Sequence, residues 1–140
     1  MIPSLESHIS TRSLPRVERL RGKKTFQLLY HLSKQWESGP VRLYAVSFLI
    51  NLGTPPLRVA FSVPKKFIRK AAHRNRVRRR MREAYRQEKP TFLTQLCGGE
   101  TWLLWQWRSS LIPSVSSLRE WFRELYDEFY KECYGTSLSL

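Results

Sequence analysis

A block of basic side chains between Lys65 and Arg86 is the stretch of this sequence best suited to chemistry. It holds eleven Lys and Arg residues, and Glu83 is its one carboxylate. A surface that faces only water normally mixes both signs, because like charges at neighbouring helical positions repel. Arginine suits phosphate, since its planar guanidinium makes paired hydrogen bonds and keeps its proton. The block therefore predicts a surface that binds a polyanion.

The spacing of apolar residues inside this block is that of a helix packed on a core. Val77, Met81 and Ala84 recur at four- and three-residue steps, which places them on one helical stripe. The remaining faces would carry Asn75, Arg79, Arg82 and Arg86, flanked by Arg74, Arg76 and Arg78. We predict a helix from Ala71 that ends near Glu88–Pro90 and presents guanidinium groups outward, as a nucleic-acid-binding helix does.

Two aromatic residues nearer the N-terminus form a second candidate site. Phe26 and Tyr30 share a face of a short helix predicted near Thr25–Ser33, behind a second basic cluster at Arg16–Lys24. Leu28, Leu29 and Leu32 are expected to supply the apolar side of that helix. The sequence leaves two interpretations open for the rings, which are burial in the core or a platform for unpaired bases.

The residue types needed for catalysis are not grouped along the chain. Histidines and cysteines are scattered at His8, His31, His73, Cys97 and Cys133, without metal-ligand spacing, and no Gly-rich phosphate loop follows a strand. Between Arg42 and Arg86 the only acidic residue is Glu83, whereas a two-metal nuclease needs clustered carboxylates. We expect the chain to bind a phosphodiester without being able to cut it alone.

Composition favours one folded domain. The chain has 140 residues, a net charge of +14 and 41% hydrophobic residues, which is too apolar for a disordered basic protein. We expect a flexible extension at 1–15, an RNA-binding domain at 16–132 and a C-terminal tail at 133–140. No apolar run approaches the roughly 20 residues of a membrane span and no secretory signal is recognisable, so the expected location is cytoplasmic, without membrane contact.

The remaining patterns predict a small α+β protein. Arg42–Ile50 alternates like a strand, Leu57–Val63 reads as its returning partner in an antiparallel hairpin, and Thr101–Arg108 reads as a tryptophan-rich buried strand. Ser114, Ser116 and Ser117 offer caps for a final amphipathic helix of mixed charge. The order α-β-β-(β)-α-β-α indicates a two-layer sandwich with helices on one mainly antiparallel sheet.

The central residues resemble one known family, the bacterial ribonuclease P protein subunit. The similarity lies in a strand that ends Ser62-Val63-Pro64-Lys65-Lys66, an Arg74-Asn75-Arg76 helix, and a trailing Arg82-Glu83. The flanks are similar too, with Leu20 to Gln27 at the N-terminal basic segment and Trp102 to Arg108 at the last strand. The resemblance covers roughly residues 16 to 132.

That resemblance implies an RNA–protein enzyme that removes the 5′ leader of precursor tRNA, in which Mg²⁺ bound mainly by the RNA supports catalysis. The implied partners are the catalytic RNA and precursor tRNA, with no DNA. It also implies a left-handed βαβ crossover, contrary to the usual hand. Carried over to this chain, the implied RNA-binding residues are Lys65, Lys66, Lys70, Arg74, Asn75, Arg76, Arg78, Arg79 and Arg82.

A cleft between the sheet and the first helix holds the single-stranded leader in that family. By position this implicates Phe26 and Tyr30, together with a residue of the first strand. The register of that strand leaves the last position open between Tyr44, Phe48 and Ser47.

Two other classes stay open on the sequence. A ribosomal or other structural RNA-binding protein would explain the charge and the aromatic residues equally well. Such a protein would not require Lys65-Lys66 and Arg74-Asn75-Arg76 at this separation. A DNA-binding regulator would place the basic helix in a major groove. It ranks last, because the sequence shows neither a helix-turn-helix pair nor a dimerising heptad.

Overall fold

One four-stranded sheet positions every other element of the molecule. The computed structural model describes residues 14–49, 55–96 and 98–138, with only the backbone for 134–138. Residues 1–13 of the predicted flexible extension, residues 50–54 and Cys97 lie outside the described residues. The elements in chain order are a short 3-10 helix (Arg16–Glu18), α1 (Lys23–Leu32), β1 (Lys34–Ser38), β2 (Val41–Ser47), β3 (Leu57–Ser62), α2 (Ala71–Leu93), β4 (Thr101–Trp107) and α3 (Val115–Leu138).

The predicted α+β class is confirmed, and the sheet has the strand order β1-β2-β4-β3. Two of its three strand pairs are antiparallel, β1 with β2 and β2 with β4, whereas β3 runs parallel to β4. The unit β3-α2-β4 is therefore a βαβ crossover between neighbouring strands, and its left hand stays a prediction. The last helix continues to Leu138, beyond residue 132, where the sequence places the end of the domain.

The predicted hairpin between Arg42–Ile50 and Leu57–Val63 is wrong. β2 instead turns back on β1 through Gly39, whose φ of 56° suits a residue without a side chain, and the only strand of the described sheet that pairs with β3 is β4. Alternation along a strand tells which face is buried but does not tell which strand lies beside it. The polar edge strand β1 lacks the apolar alternation of the other three, so only its neighbours reveal it.

The basic helix α2 is longer than predicted, because it continues through Pro90 to Leu93. The residues just before the proline are buried, and their charges are paired. Glu88 accepts from Arg119 at 2.6 Å, and the Nζ atom of Lys89 lies 2.5 Å from a carboxylate oxygen of Glu18. These ion pairs, together with the buried ring of Phe92, stabilise the last turn of the helix. The helix continues although Pro90 has no amide proton to donate to the preceding turn.

The main core lies between the sheet and the layer of α2 and α3. Trp105 of β4 stacks on Phe122 of α3 with ring centroids 4.2 Å apart, and Trp107 is also buried, so the predicted burial of the tryptophan strand is confirmed for these two rings. The amide of Ser117 donates to the hydroxyl oxygen of Ser114 at 3.1 Å, which makes Ser114 the cap of α3.

A smaller cluster occupies the other face of the sheet, where α1 lies across it. Leu29 is fully buried there beside Tyr44, with Phe26 packed at its border. The predicted apolar side of α1 is wrong for Leu28 and Leu32, which are exposed by 43% and 45%. A ten-residue helix covers only part of a sheet face, so one leucine rather than three reaches the cluster. The rest of this face stays open.

Candidate nucleic-acid interface

Helix α2 docks by the predicted stripe and leaves its other sides to solvent. Val77, Met81 and Ala84 have no exposed surface, which confirms the predicted docking face. On the solvent side of the helix, the exposed residues include Asn75, Arg76, Arg79 and Arg82. In the preceding loop, Lys65, Lys66 and Lys70 are exposed. Arg74 and Arg78 are half-buried at the flanks.

The charge state of this surface decides whether it can take an anion. In the described part of the chain, none of the nine predicted RNA-binding residues forms an ion pair with a carboxylate. Glu83 pairs with Arg86, and Glu88 pairs with Arg119 and Arg123 of α3. The mixed charges of α3 therefore leave the exposed guanidinium groups of α2 available for a ligand.

Two of the predicted residues are engaged locally. Arg78 donates to the side-chain oxygen of Asn75 at 2.9 Å, so the amide sets the direction of that guanidinium. Arg74 turns back toward the loop and donates to the backbone oxygens of Ile68 and Arg69. The structure thus separates the outward arginines Arg76 and Arg79 from arginines that organise their surroundings.

The second basic cluster of the sequence meets α2 in space. A cleft of about 500 Å³ lies between the N-terminal segment, β3 and the helix. Its walls combine arginines from both parts of the chain with apolar side chains: Arg16, Arg19, Arg21, Arg78, Arg82, Leu14, Leu20, Phe26, Val59, Ala60 and Phe61. Burial, followed by the charges of Arg19 and Arg78, lowers the pKa of Arg82. Such a concentration of like charge favours an anionic ligand.

Sequence reasoning missed this convergence. The cluster at Arg16–Lys24 was visible, but nothing in its spacing indicated that it would face α2. The ion pair between Glu18 and Lys89 provides the link, because it fixes the 3-10 helix against α2 with both side chains nearly inaccessible. An isolated acidic residue inside a basic segment was the only signal in the sequence.

Three of the four predicted cleft aromatics come together on the open sheet face. The rings of Tyr30 and Tyr44 are perpendicular with centroids 5.2 Å apart, and Phe26 borders the same cluster. Tyr30 is 51% exposed, and the pKa of its hydroxyl is raised by partial burial and then by Tyr44. Arg42 donates to the Tyr44 hydroxyl oxygen at 3.3 Å, which places a cation beside the rings.

Phe48 lies apart from these rings, immediately after the end of β2. Its ring packs edge-on against Trp102 at 4.8 Å. The hydroxyl of Ser47, the other alternative, interacts with Thr101 at 3.3 Å. The register of β2 against β4 therefore sets Tyr44, rather than Phe48 or Ser47, beside the rings of α1.

The described residues offer no ligand cluster for a bound Mg²⁺. Across the described ranges, no group of three or more His, Cys, Asp or Glu side chains could hold a metal ion. The carboxylate nearest the exposed arginines in sequence, Glu83, is already engaged by Arg86 and Gln87.

No described helix is long and apolar enough to cross a membrane.

Comparison with known proteins bears on this surface. The sequence model of the family described as Ribonuclease P matches residues 14–103. The chain is 33% identical over 136 residues to the ribonuclease P protein component of Chlorobaculum tepidum, which covers 89% of this chain and 88% of that protein. It is 30% identical over 117 residues to the protein of that name from Synechococcus, over 77% of this chain and 89% of that one.

Solved structures share the fold. The ribonuclease P protein of Thermotoga maritima superposes with a TM-score of 0.62 at 23% identity, over 79% of this chain and 96% of that chain. The protein from Staphylococcus aureus gives 0.60 at 18% identity, over 76% and 90%.

Fold and surface together define a basic α+β protein with an exposed cationic surface suited to a polyanion, whose described residues include no metal-ligand cluster. The family match identifies the protein more narrowly than this class, because the matched residues 14–103 run from before the 3-10 helix to the start of β4. This chain belongs to the ribonuclease P protein family.

Proposed function

We propose that this chain is the protein subunit of a ribonucleoprotein endoribonuclease that removes the 5′ leader from precursor tRNA and leaves a 5′-phosphate on the mature end. The observation that carries the proposal is the array of cations on α2 and its loop, none of them paired with a described carboxylate, next to an open aromatic face. Membership of the ribonuclease P family supports it. A cytoplasmic site of action follows from the proposed substrate.

In this proposal the protein binds RNA and does not supply the hydrolytic groups. The outward side chains of α2 and of the loop before it would contact the phosphates of the catalytic RNA. Magnesium ions would be held by that RNA, since the described carboxylates offer no ligand set. The contribution of the protein to the rate would come from positioning the substrate.

The open sheet face would hold the single-stranded leader. Exposed aromatic rings stack on unpaired bases of any sequence, and a nearby cation can attract the phosphates. Tyr30 on α1 supplies the exposed ring, beside the buried ring of Tyr44 on β2 and the half-buried Phe26, and Arg42 supplies the charge. Contacts of this kind would increase affinity for precursor over mature tRNA.

Reconstitution with the catalytic RNA tests the proposal. At near-physiological salt, the protein should increase cleavage of precursor tRNA and lower the magnesium concentration that cleavage requires. It should also favour substrates that carry a leader. The matched control is the variant Arg76→Glu/Arg79→Glu, which reverses two charges and should keep the fold, because both side chains are exposed.

Two results would contradict the assignment. If cleavage, leader preference and salt sensitivity are the same with and without the protein, the chain is not this subunit. If it binds several unrelated structured RNAs equally tightly without affecting cleavage, it is a structural RNA-binding protein of the ribosomal kind.

A further inference from the structure

The loop between β3 and α2 carries three of the predicted RNA-binding lysines, and its path depends on one arginine. A single terminal nitrogen of Arg74, Nη1, donates to the backbone oxygen of Ile68 at 3.0 Å and to that of Arg69 at 2.6 Å. The side chain of Ile68 is 95% buried in the main core, so this contact joins a fixed point of the loop to the first turn of α2.

No other described group donates a hydrogen bond to the backbone oxygens of Ile68 and Arg69. The backbone amides of Phe67 and Ile68 donate to Pro64, and those of His73 and Arg74 donate to Lys70. Helix α2 also begins without a side-chain cap, because Lys70 at that position makes no capping hydrogen bond. The bond to the Ile68 oxygen is partly buried, and a carbonyl group shielded from water needs a donor, which the guanidinium of Arg74 supplies from within the helix. The bond to the Arg69 oxygen is exposed and adds a second contact to the same loop.

The loop held in this way presents its cations in a defined arrangement. The Nζ atom of Lys66 lies 5.2 Å from the centre of the Phe67 ring, and the guanidinium carbon of Arg108 lies 5.2 Å from the same ring. Such contacts orient a lysine only while the ring itself is fixed. A change in the loop path at Ile68 and Arg69 would therefore move Lys66 away from its place beside α2.

We propose that Arg74 is a positioning residue, which contributes to RNA binding chiefly by holding the loop so that Lys65 and Lys66 lie in line with the outward arginines of α2. This inference rests on the proposed function for the RNA contact, but not for the loop contact itself. It separates Arg74 from Arg79, an exposed arginine of the same helix that forms no hydrogen bond or ion pair with any described residue.

The first experiment needs no RNA. Amide hydrogen exchange of the full-length free protein is compared for wild type, Arg74→Ala, Arg74→Lys and Arg79→Ala. In Arg74→Ala the amides of Phe67 and Ile68 should exchange about tenfold faster, with those of Leu103–Trp105 unchanged as a check of the global fold. Arg79→Ala should match wild type, and Arg74→Lys should recover part of the protection, since an ammonium can also donate to two oxygens.

The second experiment couples the loop to binding of the catalytic RNA. Arg74→Ala and Lys66→Ala should each weaken affinity by about five- to tenfold, and the double variant should be little worse than Arg74→Ala alone. For the matched pair Arg79→Ala and Lys66→Ala, the two losses of affinity should multiply in the double variant, because these side chains act independently.

Each alternative result overturns the proposal in a recognisable way. Wild-type exchange at Phe67 and Ile68 in Arg74→Ala would mean that the arginine does not hold the loop and contacts phosphate directly. Faster exchange with multiplying losses would show that the loop path does not matter for Lys66. Faster exchange with no loss of affinity would remove the loop from the RNA interface, while the proposed subunit role would still be decided by whether the wild-type protein promotes cleavage.

Discussion

Side chains on α2 that look alike in the sequence have different tasks in the structure. Arg76 and Arg79 extend into solvent, Arg78 is oriented by Asn75, and Arg74 bonds to the preceding loop. The difference arises from position relative to neighbouring backbone and not from residue type. Removing a charge at one of these positions is therefore a different experiment from removing it at another.

Glu83, the one carboxylate of the basic block, should titrate far below its ordinary range. Hydrogen bonds from Arg86 and then Gln87 lower the pKa of its carboxyl from 4.5 to about 2. A lowered pKa means that the pair stabilises the fold above pH 4.5 and loses this contribution as pH falls toward 2. The effect is small because the pair is exposed. Carboxyl NMR should show the low titration in wild type and a pKa moved back toward 4.5 in Arg86→Ala, where only the Gln87 hydrogen bond still lowers it; normal titration in wild type would exclude the pairing.

Tyr30 tests the aromatic face with little risk to the fold, since half of its surface is exposed. Tyr30→Ala should weaken binding of precursor tRNA by about tenfold, because one base-stacking contact is lost, and leave mature tRNA unaffected. Leu28→Ala is the control, as it removes a similarly exposed apolar side chain from the same helix. Equal losses for precursor and mature tRNA in holoenzyme binding assays would place Tyr30 outside the leader site.

At the scale of elements, α2 works as a rigid support whose exposed charges are fixed by the burial of its other side. The stripe Val77, Met81 and Ala84 sets the rotation of the helix, and the paired charges of Glu88 and Lys89 extend it past Pro90. Helix α3 covers the core and neutralises Glu88, so the two helices divide packing and binding between them.

The charge array should determine the salt dependence of RNA binding. In Arg76→Ala/Arg79→Ala, the slope of log affinity against log salt should become shallower by about 1.4 to 1.8, since two phosphate contacts no longer release counterions. Lys131→Ala on α3, an exposed lysine paired with Asp127, should leave the slope unchanged. Filter binding from low to high salt measures both, and an unaltered slope in the double variant would mean that these arginines do not touch phosphate.

The start of α3 makes a separate prediction about stability. Ser114→Ala removes the acceptor for the Ser117 amide and should lower the free energy of unfolding by about 1 kcal/mol. Ser116→Ala, an exposed serine in the same turn, should change it by less than about 0.5 kcal/mol. Urea unfolding compares them, and equal stabilities would show that the cap contributes nothing.

At the scale of the whole molecule, a buried ion pair joins the N-terminal segment to the far end of α2. Glu18 and Lys89 are 71 residues apart, and their side chains are 6% and 2% exposed. A buried pair of this kind costs desolvation energy, so its clearest role is to specify one arrangement. Here that arrangement brings Arg16, Arg19 and Arg21 to the cleft beside α2.

Breaking the pair from one side should be severe. Lys89→Met leaves the Glu18 carboxylate buried without its partner and should lower the free energy of unfolding by about 3–5 kcal/mol. The double variant Glu18→Leu/Lys89→Met should recover much of this loss, because it leaves no buried charge behind. Denaturant unfolding decides between the expectations, and a Lys89→Met protein of wild-type stability would show that the N-terminal segment is not fixed by this contact.

Local features of this protein follow from its amino-acid order alone, because they depend on near neighbours along the chain. Helical spacing of Val77, Met81 and Ala84 gave the docking face of α2, and density of arginine gave its ligand class. The burial of Trp105 and Trp107 and the capping of the last helix by a serine also followed from local pattern.

The folded structure is needed to show which distant parts of the chain meet. It paired β2 with β1 and β4 instead of β3, and it set Tyr44 rather than Phe48 beside Tyr30. It also extends α2 past Pro90 and places the N-terminal arginines in the cleft beside α2. The physical reason is that strand order, register and buried ion pairs depend on contacts between residues far apart in the chain, and residue spacing carries no record of the partner.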